Sequence, residues 1–237
     1  MPNPYFSFKQ FTVYHDLCAM KVGIDGVLLG AWAGVDNVKH VLDIGTGSGL
    51  IALMIAQRTL NVHIDAIDID EGAFKQSVLN FKNSPWNERL NSFEVSLQDF
   101  SLLAKSKYDL IVSNPPFFID SLEAPDPKRS QARHTSTLTH KELLTFASGL
   151  LHEKGRICLI LPVNEALQCV KMAEALQLKC YRKCYVKSMP NKPAHRILLE
   201  LGFESVITIE SSLTIELERQ VYTPEFSQML RDFYQKL

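Results

Sequence analysis

Asn114, Pro115, Pro116 and Phe117 stand together at the end of an apolar run, Tyr108 to Ser113. A strand end is where α/β proteins place their chemistry. The Asn114 side-chain carbonyl and the Pro115 backbone carbonyl can each accept one N–H of an amine, fixing the nitrogen and favouring localisation of its lone pair. The two prolines stiffen the turn and bring no backbone donor into it. Phe117 can stack on a flat ring, a contact worth about 1–3 kcal/mol for a nucleobase. The tetrapeptide therefore suits the grip of a flat, amine-bearing group. Alone, it is equally compatible with a Pro-Pro turn carrying an incidental Phe.

A second constellation lies upstream, in Asp43-Ile44-Gly45-Thr46-Gly47-Ser48-Gly49. Gly45, Gly47 and Gly49 let the chain turn sharply and approach a ligand closely, with Thr46 between them. The spacing is GxGxG, not the GxGxxG of dinucleotide binders. Asp43, two residues before the first glycine, would repel a pyrophosphate and attract an ammonium. Asp68 ends the next strand, where a carboxylate can accept both hydroxyls of a ribose. Asp99 follows the third strand and is placed to accept from an adenine amine. Together these residues describe a site for an adenosine bearing a charged amino-acid tail, S-adenosylmethionine. The glycine run by itself also fits a tight strand-to-helix turn or a nicotinamide fold. Asp70 reads as a helix N-cap. Asp25 reads equally as a cofactor wall or a helix cap.

In this order, Asp43-x-Gly-x-Gly-x-Gly, Asp68, Asp99 and Asn114-Pro115-Pro116-Phe117 resemble the class I S-adenosylmethionine-dependent methyltransferases. More narrowly they resemble the branch that methylates amino groups and carries (N/D/S)PP(F/Y). Met20 to Trp32 and the basic loop Pro127 to His134 narrow the resemblance to the bacterial tRNA1(Val) adenine-N6 methyltransferases, over nearly the whole chain. That resemblance implies transfer to the exocyclic N6 of adenine in tRNA, at adenine 37 beside the anticodon of tRNA1(Val). It implies roles at the amine for Asn114, Pro115, Pro116 and Phe117. Alternatives are an rRNA guanine-N2 enzyme and a protein glutamine-N5 enzyme. Phe118 stands where some guanine-specific relatives carry His. Only about 40 residues precede the cofactor strand, against the substantial helical substrate domain of the glutamine branch.

The formal net charge of −1 means that any grip on RNA must come from local basic patches. From Lys179 to Arg196 there are six Lys or Arg and no Asp or Glu. A hairpin there could hold phosphates through Arg182, Lys183, Lys187 and Arg196, or be a solvated edge that resists aggregation. Strand alternation would put Arg182 and Cys184 on one face, Lys183 and Tyr185 on the other. Lys128, Arg129, Arg133 and His134 form a second cluster after the catalytic turn. The five cysteines form no CxxC pair and no metal site is expected. No leader peptide or membrane-length apolar run is visible, and the expected location is the cytoplasm. Beyond tRNA no obligate partner is implied, and nothing indicates an oligomeric state.

The elements that must position these residues alternate between strand and helix from about residue 39 to about residue 200. The expected fold is α/β: a Rossmann-like class I methyltransferase, with a seven-stranded, mostly parallel sheet, an antiparallel edge hairpin, and helices on both faces. The seven strands fall near 41–44, 62–67, 92–95, 108–113, 155–161, 179–186 and 196–201. One domain spans 1–237, with an N-terminal extension of about 1–38 and a terminal helix at about 224–235. Residues 118–138 form a long irregular stretch of the kind that is often functional.

Overall fold

The structure is a computed structural model that describes residues 3–104, 106–115 and 138–236. Its strands are β1 (Tyr5–Ser7), β2 (Thr12–Tyr14), β3 (His40–Ile44), β4 (His63–Asp68), β5 (Leu90–Glu94), β6 (Tyr108–Ser113), β7 (Leu151–Pro162), β8 (Lys179–Lys187), β9 (Ala194–Gly202), β10 (Ile209–Thr214), β11 (Glu216–Glu218) and β12 (Val221–Tyr222). The helices are α1 (Ile24–Trp32), α2 (Leu50–Arg58), α3 (Glu71–Lys82), α4 (Leu97–Leu103), α5 (His140–Leu150), α6 (Val163–Ala175) and α7 (Pro224–Leu230).

The central sheet runs in the order β10-β8-β9-β7-β6-β3-β4-β5. β3 to β7 pair in parallel, and β9 is antiparallel to both β7 and β8. The expectation of seven strands needs correction: the sheet has eight. β10 pairs in parallel with β8, so the hairpin lies inside the sheet and not at its edge. The sequence pattern conceals β10 because only Leu213 in it is buried and the rest is half-buried or exposed. Without alternating apolar residues it lacks the period of a half-buried strand.

The strands of the sheet centre are apolar on both faces because helices cover both. One face packs on Val27 to Leu29 of α1, Leu50 to Ala56 of α2, Phe81 of α3, and Phe226 and Leu230 of α7. The other packs on Leu97 and Phe100 of α4, Leu143, Leu144 and Ala147 of α5, and Ala166, Cys169 and Ala173 of α6. The β1–β2 hairpin is tied to the chain's other end, where Phe8 and Phe6 pack their rings against Tyr234. Four of the helix N-termini follow plain capping chemistry, α4 among them through Ser96. Asp70 accepts from the Ala73 N–H, as its position before α3 predicts. Thr139 and Glu142 form a reciprocal capping box on α5. Thr223 accepts from the Phe226 N–H at the start of α7, with Pro224 in its first turn.

Candidate active site

β3 ends at Ile44 and the chain then turns through Gly45, Gly47 and Gly49, each with φ between 55° and 80°. At Gly49 glycine is required twice over. Its φ is 80°, and an added Cβ would lie 2.4 Å from the Phe81 ring. At Gly45 and Gly47 an added Cβ would meet nothing within 4 Å, so the loop borders open space there. Asp43 is fully buried beneath it. Its Oδ2 accepts from Thr46 Oγ1 at 2.7 Å, while Oδ1 has no partner. Burial pushes the Asp43 carboxyl up to about 7, against the opposing effect of the Thr46 hydroxyl. Asp68, at the end of β4, accepts from the Gly47 N–H at 2.9 Å and from the Asp70 N–H at 3.0 Å. Each carboxylate oxygen retains capacity for a further donor such as a ribose hydroxyl.

Of these residues Gly45, Gly47 and Asp68 border a cavity of about 560 Å³ at the C-terminal ends of the strands, whereas Asp43, Thr46 and Gly49 do not line it. Gly45, Gly47 and Asp68 line it on one side, Ser113, Asn114 and Pro115 on another. Asn114 Oδ1 is buried and without a partner. Ile44, Ile67, Ile69 and Leu97 give apolar wall suited to a purine. Asp99 does not line the cavity; Ser96, Leu97 and Gln98 do. Asp99 is exposed in the first turn of α4, where its carboxylate accepts from Ser96 Oγ and its N–H donates to the same hydroxyl. The signal for this was present: Ser96-Leu97-Gln98-Asp99 has the [ST]-x-x-[DE] spacing of a capped helix start. Cys18, Ala19 and Met20 also line the cavity, as do Leu138 and Glu142. Nothing in the local sequence of Cys18 to Met20 marks them as pocket wall. Pro116, Phe117 and Phe118 lie outside the described residues.

The residues fit S-adenosylmethionine. Open space borders the glycine loop, the carboxylate of Asp68 lines the cavity with capacity for further donors, and the buried Asn114 Oδ1 beside it has no partner. The methyltransferase small domain family matches this chain over residues 27–182. The chain belongs to that family. It is 48% identical, over 100% of both chains, to a protein of Parabacteroides distasonis named tRNA1(Val) (adenine(37)-N6)-methyltransferase. It is 46% identical, again over 100% of both, to one of the same name from Trichodesmium erythraeum. Among solved structures, a predicted O-methyltransferase from Agrobacterium tumefaciens superposes with a TM-score of 0.68 at 14% identity, over 88% of this chain and 96% of that one. That likeness speaks to the fold alone.

The basic residues of this methyltransferase fall into distinct environments. Both Nε and Nη2 of Arg182 donate to Oε2 of buried Glu200, the former at 3.1 Å. The Arg182 guanidinium also lies 4.1 Å from the Trp32 ring centroid. Lys183 pairs with Glu210 of β10 at 3.1 Å. Arg196 Nε donates to Asp25 at 2.8 Å. Asp25 thus holds the β9 arginine from the first turn of α1, whose N-cap is Gly23, and does not line the cavity. For Lys187 no acidic partner is found among the described residues. The expected alternation holds: Cys184 packs in one core and Tyr185 against the other. Lys128, Arg129, Arg133 and His134 lie outside the described residues. Among the described residues no cluster of His, Cys, Asp or Glu could hold a metal, and no helix is long and apolar enough to cross a membrane.

Proposed function

We propose that this protein methylates the exocyclic N6 amine of adenine in tRNA, at adenine 37 beside the anticodon of tRNA1(Val), with S-adenosylmethionine as donor. The observation that carries this reading is the buried, unpartnered Asn114 Oδ1 in the cavity that the glycine loop and Asp68 also line. When bound, S-adenosylmethionine supplies an electrophilic methyl on a sulfonium. The protein's own residues supply position. An aromatic amine is a poor nucleophile because its lone pair is delocalised into the ring. Asn114 Oδ1 accepts one amine N–H and the Pro115 carbonyl accepts the other, which orients the nitrogen and concentrates its lone pair. Pro115 is buried, so water competes poorly for these acceptors. Phe117 stacks on the base. The extra proton leaves to water after transfer, so no strong general base is needed. Asp68 takes the ribose, and the glycine loop passes close to the amino-acid tail.

The tRNA runs over the end of the sheet where the cavity opens. By register, Asp43, Val112, Cys158, Glu200 and Arg182 form one row across β3, β6, β7, β9 and β8. Lys187 is five residues farther along β8, in the direction of the catalytic strand ends, or about 16 Å at ~3.3 Å per residue. Lys187, Lys128, Arg129, Arg133 and His134 are the residues we assign to phosphate contacts, since Arg182, Lys183 and Arg196 are engaged with Glu200, Glu210 and Asp25. The cytoplasm is the compartment that fits such a substrate. The test is to incubate the protein with labelled S-adenosylmethionine and separated tRNA, rRNA, DNA and protein pools, then digest to nucleosides. Label should appear in N6-methyladenosine from tRNA. Label confined to guanine in rRNA would replace this reading with a guanine-N2 one.

A further inference from the structure

The buried face of α3 carries two amides where apolar residues would be expected. Gln76 and Asn80 are 2% and 1% exposed. Asn80 Nδ2 donates to the carbonyl of Tyr14 and to that of Ser48, both at 2.8 Å. Its Oδ1 accepts from the Tyr14 N–H at 3.0 Å. One side chain thus joins strand β2 to the glycine loop. One turn earlier, Gln76 Oε1 accepts from the Leu17 N–H at 2.9 Å. The backbone here crosses the start of α3 so closely that a Cβ on Gly72 would lie 2.5 Å from the Leu17 carbonyl. The next three residues, Cys18, Ala19 and Met20, are cavity wall, facing the same space as Asp68 and Asp70.

We infer that Asn80, assisted by Gln76, is the positioning residue of the cofactor pocket, holding the glycine loop and the Leu17–Met20 wall in register with each other. This rests on the methyl-donor reading above. Neither amide lines the cavity, so both act through what they hold. Both donors and the acceptor of Asn80 are engaged, as a buried amide requires. Leu17 and Met20 are themselves well exposed, at 45% and 65%. Their burial therefore does little to hold the wall down, and the amides on α3 supply the anchoring. An aspartate at 80 keeps the acceptor for the Tyr14 N–H but sets a carboxylate oxygen against two carbonyls. Both walls are then released from a common anchor.

The experiment compares wild type, Asn80→Asp and Gln76→Leu. It measures the Kd for S-adenosylhomocysteine, hydrogen exchange over residues 14–20 with and without that ligand, and the split between KM and kcat for methyl transfer. Asn80→Asp should weaken binding about tenfold and Gln76→Leu about threefold, in keeping with lost buried hydrogen bonds. The loss should fall on KM for the donor and not on kcat, and exchange over 14–20 should quicken in both variants. In wild type the ligand should slow exchange at Leu17. Unchanged Kd in a folded Asn80→Asp protein overturns the inference, as does a loss confined to kcat. Should Asn80→Asp not fold, unchanged Kd in Gln76→Leu or absent protection of 14–20 in wild type overturns it equally. Wild type that fails to bind S-adenosylhomocysteine removes the methyl-donor reading itself, whereas wild-type binding with variants equal to it removes only the role of Asn80.

Discussion

The cofactor cavity and the arginine cluster around the C-terminal end of α1 treat buried polar atoms in opposite ways. In and beneath the cavity, Asp43 Oδ1 and Asn114 Oδ1 are buried without a partner. Near the end of α1, Arg58 donates to the carbonyls of Gly30 and Ala33, Arg156 to that of Asp36, and Arg182 to Glu200. Arg58 and Arg156 thereby satisfy carbonyls at and just beyond a helix C-terminus, where cations are favoured. An orphaned buried acceptor costs on the order of 1–3 kcal/mol, a cost that a donor on a bound ligand would offset at Asn114 Oδ1. The cavity thus leaves Asn114 Oδ1 open to a donor, whereas the guanidinium groups of the arginine cluster are engaged within the fold. Charge alone does not distinguish them, since Arg182 and Asp43 share a row of the sheet.

The largest effect that tests this contrast is on catalysis. Asn114→Ala should lower methyl transfer about 10²–10³-fold, as for loss of one transition-state partner, while S-adenosylhomocysteine still binds and the melting temperature holds or rises. Normal turnover by this variant would sink the mechanism. On the scaffold side, Arg182→Ala leaves the carboxylate of Glu200 buried without its cation. We expect a loss of about 2–3 kcal/mol, reduced from a fully buried pair because Arg182 is partly exposed, and roughly 4–12 °C in melting temperature. Turnover of the folded fraction should change little. A variant that melts normally but methylates poorly would move Arg182 from scaffold to site.

How far this contrast was legible in the sequence differs by residue. The catalytic strand end and the glycine loop declare themselves because their chemistry is local: a run of consecutive residues makes the turn and aims the groups. Most of the strands found from the pattern have apolar residues that face covered sheet surfaces, and β5, with only Leu90 buried, is the exception. β10 is missed because its pairing with β8, and not apolar burial, creates it. Arg182, Lys183 and Arg196 look like a basic patch because their partners Glu200, Glu210 and Asp25 all lie outside the Lys179–Arg196 stretch. A count of charge in a window cannot register a neutralising partner 171 residues away, as for Arg196 and Asp25. Asp99 shows the converse: a local cap, Ser96, claims a carboxylate that strand-end logic assigns to the ligand.

A smaller effect follows from Asp43. Its folded carboxyl is raised to about 7 by burial, against about 3.9 in an unfolded chain. The folded state therefore holds its proton more tightly. The stabilising contribution is complete below about pH 4 and is lost as pH rises through about 7. Denaturant titration of the ligand-free protein at successive pH values should show this decline superimposed on other titrations. Asp43→Asn, which cannot ionise, should flatten that component. An identical pH profile in the two proteins would mean that Asp43 is ionised throughout the range, so that its buried charge must be compensated by the surrounding loop.

The smallest effect compares two residues of one strand. Lys187→Ala removes one cation at the catalytic end of β8, five residues beyond Arg182 in the row of Asp43. If Lys187 meets a phosphate, tRNA affinity should fall by a similar factor for any tRNA sequence, and the slope of log K against log salt should become shallower by about 1. Arg182→Ala, measured on folded protein, should leave that slope unchanged because its guanidinium is engaged with Glu200 and Trp32. Filter binding or fluorescence anisotropy across a salt series reads both. A shallower slope for Arg182→Ala with no change for Lys187→Ala would reverse the assignment.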